Sequence, residues 1–151
     1  MLDINQLKNA ESVWSVTWKF QDESFETLKE IAETKTYKAG TSVFSEGDAA
    51  DGMYLILEGA ALIIRKTASG EERTVAIITE GQSFGELGLL VERSRQATAA
   101  AGTDLKVLKI TPAVLELLHK NAPDMAFMMY RTLARSLAEQ LLQTQEMKRP
   151  D

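Results

Sequence analysis

Cysteine is absent from all 151 residues, which excludes disulfide staples and thiolate metal sites. Histidine occurs once, as His119, so the clustered histidines with which other small β-barrels hold a catalytic metal cannot be assembled. His119 follows Leu118 in a stretch of helical spacing and reads as a surface or boundary residue. No serine is set in a visible nucleophile arrangement, and the chain reads as non-enzymatic. Long apolar runs are missing too: Met53 to Leu57 and Leu87 to Val91 are far shorter than the roughly 20 residues of a spanning helix. The N-terminus lacks the basic start and continuous apolar stretch of a signal peptide, and the expected setting is the cytoplasm, away from membranes. Positive charge is also short, with 17 basic residues against 22 acidic ones and a net charge of -5. Such a chain has no global field to collect phosphate backbones, and nucleic acid is not an expected partner.

A hydrophobic content of 44% is enough for one ordinary core, and the length leaves no room for a second domain of normal size. Residues 1–21 are open to two readings: Val13, Trp14, Val16 and Trp18 suit either a short helix or an extended segment. From Phe25 the spacing Phe25, Leu28, Ile31, Ala32 predicts a helix of about three turns ending before Lys35, with Asp22 or Ser24 as its N-cap. Between Thr36 and Ile110 the texture changes to short β-branched and apolar runs punctuated by glycine, as in a compact antiparallel roll. Strands are expected at Ser42 to Phe44, Met53 to Leu57, Ala61 to Arg65, Thr74 to Ile78, Ala97 to Ala100 and Leu105 to Ile110. Turns are expected at Gly40, Gly47, Gly59, Gly70, Gly81 and Gly102, and the small, charged run from Thr67 to Glu72 as an exposed hairpin end.

Thr111-Pro112 then opens a helix over 112–120, a capping residue followed by a proline whose missing N–H costs nothing at the first helical position. Asn121, Pro123 and Asp124 break the chain, and Met125, Met129, Leu133, Leu137 and Leu141 recur at i+4 along a final helix of about twenty residues. That stripe suits packing against the roll, a homodimer seam or a partner surface equally, because spacing does not separate them. The fold class is thus mainly β with flanking helices, over residues 22–147, with 148–151 as a tail.

One segment breaks the strand texture: Gly81-Gln-Ser-Phe-Gly-Glu-Leu-Gly-Leu-Leu-Val-Glu-Arg-Ser-Arg-Gln-Ala-Thr98. Gly85 lets backbone approach a ligand, and a helical turn beginning there presents N–H groups suited to an anion. Glu86 beside such a site makes sense if it accepts from a neutral hydroxyl next to the anion, as on a sugar phosphate. Arg95, returning from the far end, offers the planar fork that fits phosphate oxygens. On spacing alone the same residues also describe a turn and a solvated charge pair.

The stretch resembles the phosphate-binding cassette of cyclic nucleotide-binding domains, in Phe84-Gly85-Glu86-Leu87-Gly88-Leu89 and Ser94-Arg95-Gln96-Ala97-Thr98. Phe44-Ser-Glu-Gly47-Asp48, Met53-Tyr-Leu-Ile-Leu-Glu-Gly59 and the exit Leu105-Lys-Val-Leu-Lys-Ile-Thr-Pro are similar to other parts of the family, so the likeness runs for about a hundred residues. The resemblance implies a jelly-roll-like β-roll with C-terminal hinge helices, acting as a regulatory sensor in signal transduction. It implies cyclic AMP or cyclic GMP as ligand and no cofactor, with Gly85 and Glu86 on ribose and phosphate and Arg95 on phosphate. Leu87, Gln96 and Ala97 are implied as further contacts. Two positions depart from the pattern: Ser94 stands where the family has proline, and Gln96 where it has a small residue. The Gln96 amide could bond a purine edge or fold into the pocket and fill it. The family's transcription factors carry a DNA-binding domain after the long helix, whereas this sequence ends at Asp151, directly after it; for a chain complete at that point, output is expected through protein contacts.

Overall fold

The computed structural model describes residues 15–147. In chain order these form β1 (Val16–Thr17), α1 (Asp22–Ile31), β2 (Glu33–Tyr37), β3 (Ser42–Phe44), β4 (Met53–Glu58), β5 (Ala61–Lys66), β6 (Glu72–Ile78), β7 (Gln82–Phe84), α2 (Leu87–Leu90), β8 (Thr98–Ala101), β9 (Leu105–Ile110), α3 (Pro112–Asn121) and α4 (Pro123–Met147). The strands pair antiparallel in two sheets, ordered β1-β7-β4-β9-β2 and β3-β8-β5-β6. Helices flank them, so the architecture is mainly antiparallel β with flanking helices, as the sequence leads one to expect.

The apolar run of β4 and the apolar residues of β9, which Lys106 and Lys109 interrupt, follow from their place inside the five-stranded sheet, where both faces are covered. Tyr54, Ile56, Leu105 and Val107 face the second sheet and pack with Ile63, Ala76, Ile78 and Phe84. Met53, Leu55, Leu108 and Ile110 point the other way and pack under the helices with Leu28, Leu115, Leu118, Met129 and Leu133. By contrast β5 alternates buried and half-buried positions, because only one face of its sheet meets the core. Gly59, at φ +89°, closes the β4–β5 hairpin, and a side chain there would run into the Asp104 carbonyl.

Expected strands Ser42 to Phe44 and Leu105 to Ile110 have the observed bounds, and those at 53, 61 and 74 extend by one or two residues. The strand expected from Ala97 begins at Thr98 instead, where pairing with Ile64 starts. Strands β2 and β7 have no counterpart in the sequence reading, and β1 falls in the segment open to a helical or an extended one. β2 lacks alternating apolar residues and owes its conformation to an unbroken ladder with β9, so helix α1 stops at Ile31 rather than nearer Lys35. β7 is three residues long, and β1 exists by pairing with it. The N-cap of α1 is Gln21, without a side-chain bond, in place of Asp22 or Ser24; Asp22 and Glu23 fall in the first turn, where they favour the helix dipole. Around Val16 and Trp18 the chain is extended, while Val13, Trp14 and the tail at 148–151 lie outside the described residues.

Helix α3 starts as its sequence dictates, with the Thr111 hydroxyl accepting from the Val114 N–H at 3.2 Å and Pro112 at the first turn. Thr111→Ala is expected to lower unfolding stability by about 1 kcal/mol, read as a denaturation midpoint shift at unchanged slope. His119 is exposed on this helix. Helix α4 runs for 25 residues. The first part of its stripe, Met125, Met129 and Leu133, is buried in the domain's own core, Leu137 is half-buried, and Leu141 is 59% exposed. Among the described residues no helix is long and apolar enough to cross a membrane.

Candidate functional site

Strand β7 ends with Phe84 paired to Tyr54, and the chain then turns sharply at Gly85, whose φ is +76°. Glu86 leads into α2, a single turn held by Gly88 N–H to Gly85 O at 3.1 Å and Leu89 N–H to Glu86 O at 2.9 Å. The return segment is zipped to the loop before β4. Arg95 N–H donates to Asp48 O at 2.7 Å, Gly47 N–H to Arg95 O at 2.9 Å and Ala50 N–H to Arg93 O at 3.0 Å. Glu46 N–H donates to the Thr98 hydroxyl at 2.9 Å. Arg95 is thereby fixed at its backbone, with its side chain directed back toward the turn.

The guanidinium is buried rather than in water, at 6% exposure. Nη1 donates to Gly85 O at 3.1 Å and Nη2 to Gly52 O at 2.7 Å, with Asp51 Oδ1 at 3.3 Å. It lies 4.0 Å over the Phe44 ring, a cation–π arrangement, and buried Nε has no hydrogen-bond partner among the described residues. Asp51 is shared, because its other oxygen accepts from Lys109 Nζ at 2.6 Å. Burial works to raise the Asp51 carboxyl, but the Lys109 hydrogen bond and the charges of Lys109 and Arg95 outweigh it and hold it below the usual range. Arg95 therefore has half of one carboxylate as its counter-charge, and donors to spare. Gly85 and Gly88 make room for it, since a Cβ at either would stand 2.7 Å from Nη1.

Glu86 keeps some exposure as a residue, yet its carboxyl is desolvated, and burial pushes it up to about 7. The Ser83 hydroxyl, donating at 2.7 Å, and the Arg95 charge pull in the opposite direction without cancelling it. A desolvated carboxyl beside a buried cation in a cavity wall is an arrangement found at functional sites as well as in structural networks.

Gly85, Glu86, Leu87, Arg95, Gln96 and Ala97 all line one cavity of about 740 Å³, which α4 also lines from Leu133 onward, with Leu137 and Gln140. The structure thus brings the six sequence-identified residues to a single space. Gln96 is exposed at that space and the cavity beside it is open, so the amide does not fill it. Ser94 forms an isolated bridge with Ala49. Residues that sequence reasoning passed over are Asp51 and Gly52, which hold the guanidinium, and Ser83 with Trp18, which hold Glu86. Phe44, a strand residue in the sequence, lies under the guanidinium.

Residues 34–121 match the family model described as the cyclic nucleotide-binding domain. The chain belongs to that family. This cyclic nucleotide-binding domain is 33% identical over 107 residues to the cyclic AMP receptor protein of Thermus thermophilus, covering 71% of this chain and 50% of the relative. It is 40% identical over 80 residues to a cAMP-dependent protein kinase regulatory subunit of Yarrowia lipolytica, covering 53% of this chain and 20% of that protein. Among solved structures, the Thermus thermophilus catabolite activator protein superposes with a TM-score of 0.73 at 29% identity, over 85% of this chain and 60% of that one. The domain spans half or less of the curated relatives named here, and those relatives are regulatory proteins.

Proposed function

We propose that the cavity between the cassette and α4 binds a cyclic purine nucleotide, cyclic AMP or cyclic GMP, and that residues 22–147 act as a cytoplasmic, non-catalytic sensor. The observation that carries this is one open cavity of about 740 Å³ with a buried guanidinium, its Nε unpartnered among the described residues, and a desolvated carboxyl in its wall. The volume lies within the range of small-ligand sites. A cyclic phosphodiester supplies one negative charge for Arg95, and its adjoining ribose supplies the hydroxyl that Glu86 accepts. The backbone at Gly85, Leu87 and Ala97 lines the phosphate side, and the Gln96 amide is free to bond a purine edge. Because Leu133, Leu137 and Gln140 of α4 also line the cavity, occupancy and helix position are coupled, which gives the sensor a way to signal.

A second reading, a ligand-free interaction module that docks a partner or a second copy through α4, is favoured by the exposure of Phe127 at 66% and of Leu141 and Leu142 at 59% each. Thermal melting separates the two. A nucleotide at about 100 times its Kd adds about 2.7 kcal/mol to native stability, a rise in Tm on the order of 5 to 10 °C. An unchanged Tm with millimolar cyclic AMP and with cyclic GMP favours the docking module instead. Neither reading includes direct DNA contact, and tight, salt-sensitive DNA retention on a filter would overturn that part.

A further inference from the structure

Trp18, just after β1, is buried and stacked on Phe20 with ring centroids 5.5 Å apart. Its indole Nε1–H donates to Ser83 Oγ at 2.7 Å, and Ser83 Oγ donates to Glu86 Oε1 at 2.7 Å. Inventory fixes the direction of this relay. An indole N–H can only donate, and a serine hydroxyl carries one proton. Once the Ser83 oxygen accepts from Trp18, its proton is left for Glu86, which must accept it. Ser83 is fully buried, so no exchange with bulk water offers the hydroxyl another arrangement.

We propose that Trp18 is a positioning residue of the nucleotide site, acting through Ser83 to keep Glu86 a hydrogen-bond acceptor toward the sugar hydroxyl of the ligand. The inference rests on the nucleotide-binding reading given above. The Ser83 hydroxyl, aimed at Oε1 by the indole, makes a stronger, charge-assisted hydrogen bond to a carboxylate than to the carbonyl oxygen of the neutral acid, so the relay favours the ionised form of Glu86. Without the relay the hydroxyl is a free rotor that serves either form. The relay thus opposes burial, which favours the neutral acid.

Other charges near Glu86 are few. Arg95 and Arg93 share its cavity, and the α4 side chains in that wall are uncharged. Arg135 and Glu139 of α4 line a separate, smaller cleft against Val16 and Gln82. The sign follows directly: the acceptor form is populated as pH rises through the ionisation of Glu86, so affinity climbs with pH, and loss of the relay moves that climb to higher pH.

The test uses the full chain, with Ser83→Ala, Trp18→Phe, their combination and Ser83→Thr. The ¹³C carboxyl shift of Glu86 is followed against pH without nucleotide, and Kd values for cyclic AMP and cyclic GMP are measured between about pH 5 and about pH 9. Both single variants are expected to raise the carboxyl midpoint by about half a pH unit or more. The pH dependence of Kd should move with it, the double variant should go no further than Ser83→Ala, and Ser83→Thr should restore the wild-type midpoint. Ser83→Ala removes one oxygen and leaves the Trp18 packing in place, so it answers even where Trp18→Phe loosens the fold. Unmoved midpoints, or Trp18→Phe and Ser83→Ala shifts that add, overturn the relay. A wild type that binds neither nucleotide overturns the site reading instead, and with it the ligand role of Trp18.

Discussion

Arg95→Ala is expected to weaken binding of the cyclic nucleotide by roughly 30-fold to several-thousand-fold, the equivalent of about 2 to 5 kcal/mol. The size comes from what alanine leaves behind. The phosphodiester would enter a cavity that keeps the Glu86 carboxyl and, of its cations, only the exposed Arg93 in its wall, with Asp51 freed from its Arg95 contact and Lys109 already committed to Asp51 at 2.6 Å. A charge without its partner in a partly desolvated cavity keeps its full solvation cost. Arg95→Lys should recover only part of the loss, since an ammonium cannot reach Gly85 O, Gly52 O and a phosphate oxygen together as a planar fork does. Isothermal titration against cyclic AMP and cyclic GMP gives the comparison, with melting of the ligand-free variant as the check on folding. Equal affinity in wild type and Arg95→Ala would contradict the proposed grip on the anion.

Phe84→Ala carries the largest expected effect on stability. Phe84 has no exposed surface, stacks on Tyr54 with centroids 5.3 Å apart and meets Phe44 at 5.9 Å, in the layer between the two sheets. Truncation of such a ring costs about 3 to 5 kcal/mol through lost burial and the cavity left behind. For a domain of this size that is a fall in Tm of about 6 to 20 °C. Because Phe84 directly precedes Gly85 and Phe44 lies under the Arg95 guanidinium, nucleotide affinity should fall as well at temperatures where the variant remains folded. A melting temperature within a few degrees of wild type would mean that the inter-sheet layer repacks around the gap.

Elements that carry their own signal were legible without coordinates. The apolar residues of β4 and β9 announce strands covered on both faces, Thr111-Pro112 announces a helix start, and the cassette is a contiguous stretch whose six nominated residues do share one cavity. What stayed hidden arises from register. Glu33–Tyr37 has no apolar alternation, and only its ladder with β9 makes it a strand. Val16 meets Ser83 through the pairing of β1 with β7, which is what carries Trp18 to within 2.7 Å of a side chain 65 positions away. Asp51 and Gly52 reach Arg95 because the loop before β4 zips to the cassette return, and nothing in their local sequence signals it. The buried guanidinium itself could be anticipated as an anion partner, but not the two carbonyls that hold it.

Helix α4 is anchored in the core over its first part and lines the cavity farther along. Its core residues Met125, Met129 and Leu133 fix one portion, while Gln140 stands at the cavity wall and the helix continues to Met147. Along a rigid rod rising about 1.5 Å per residue, Gln140 lies about 16 Å from Met129 and the last turn about 27 Å. Pivoting about that fulcrum, a tilt that moves the wall by 1 Å displaces the far tip by about 1.6 Å. The geometry is that of a lever, with a mechanical gain set by how many turns project past the anchored part, so trimming or lengthening the helix would alter the gearing while leaving the fulcrum untouched.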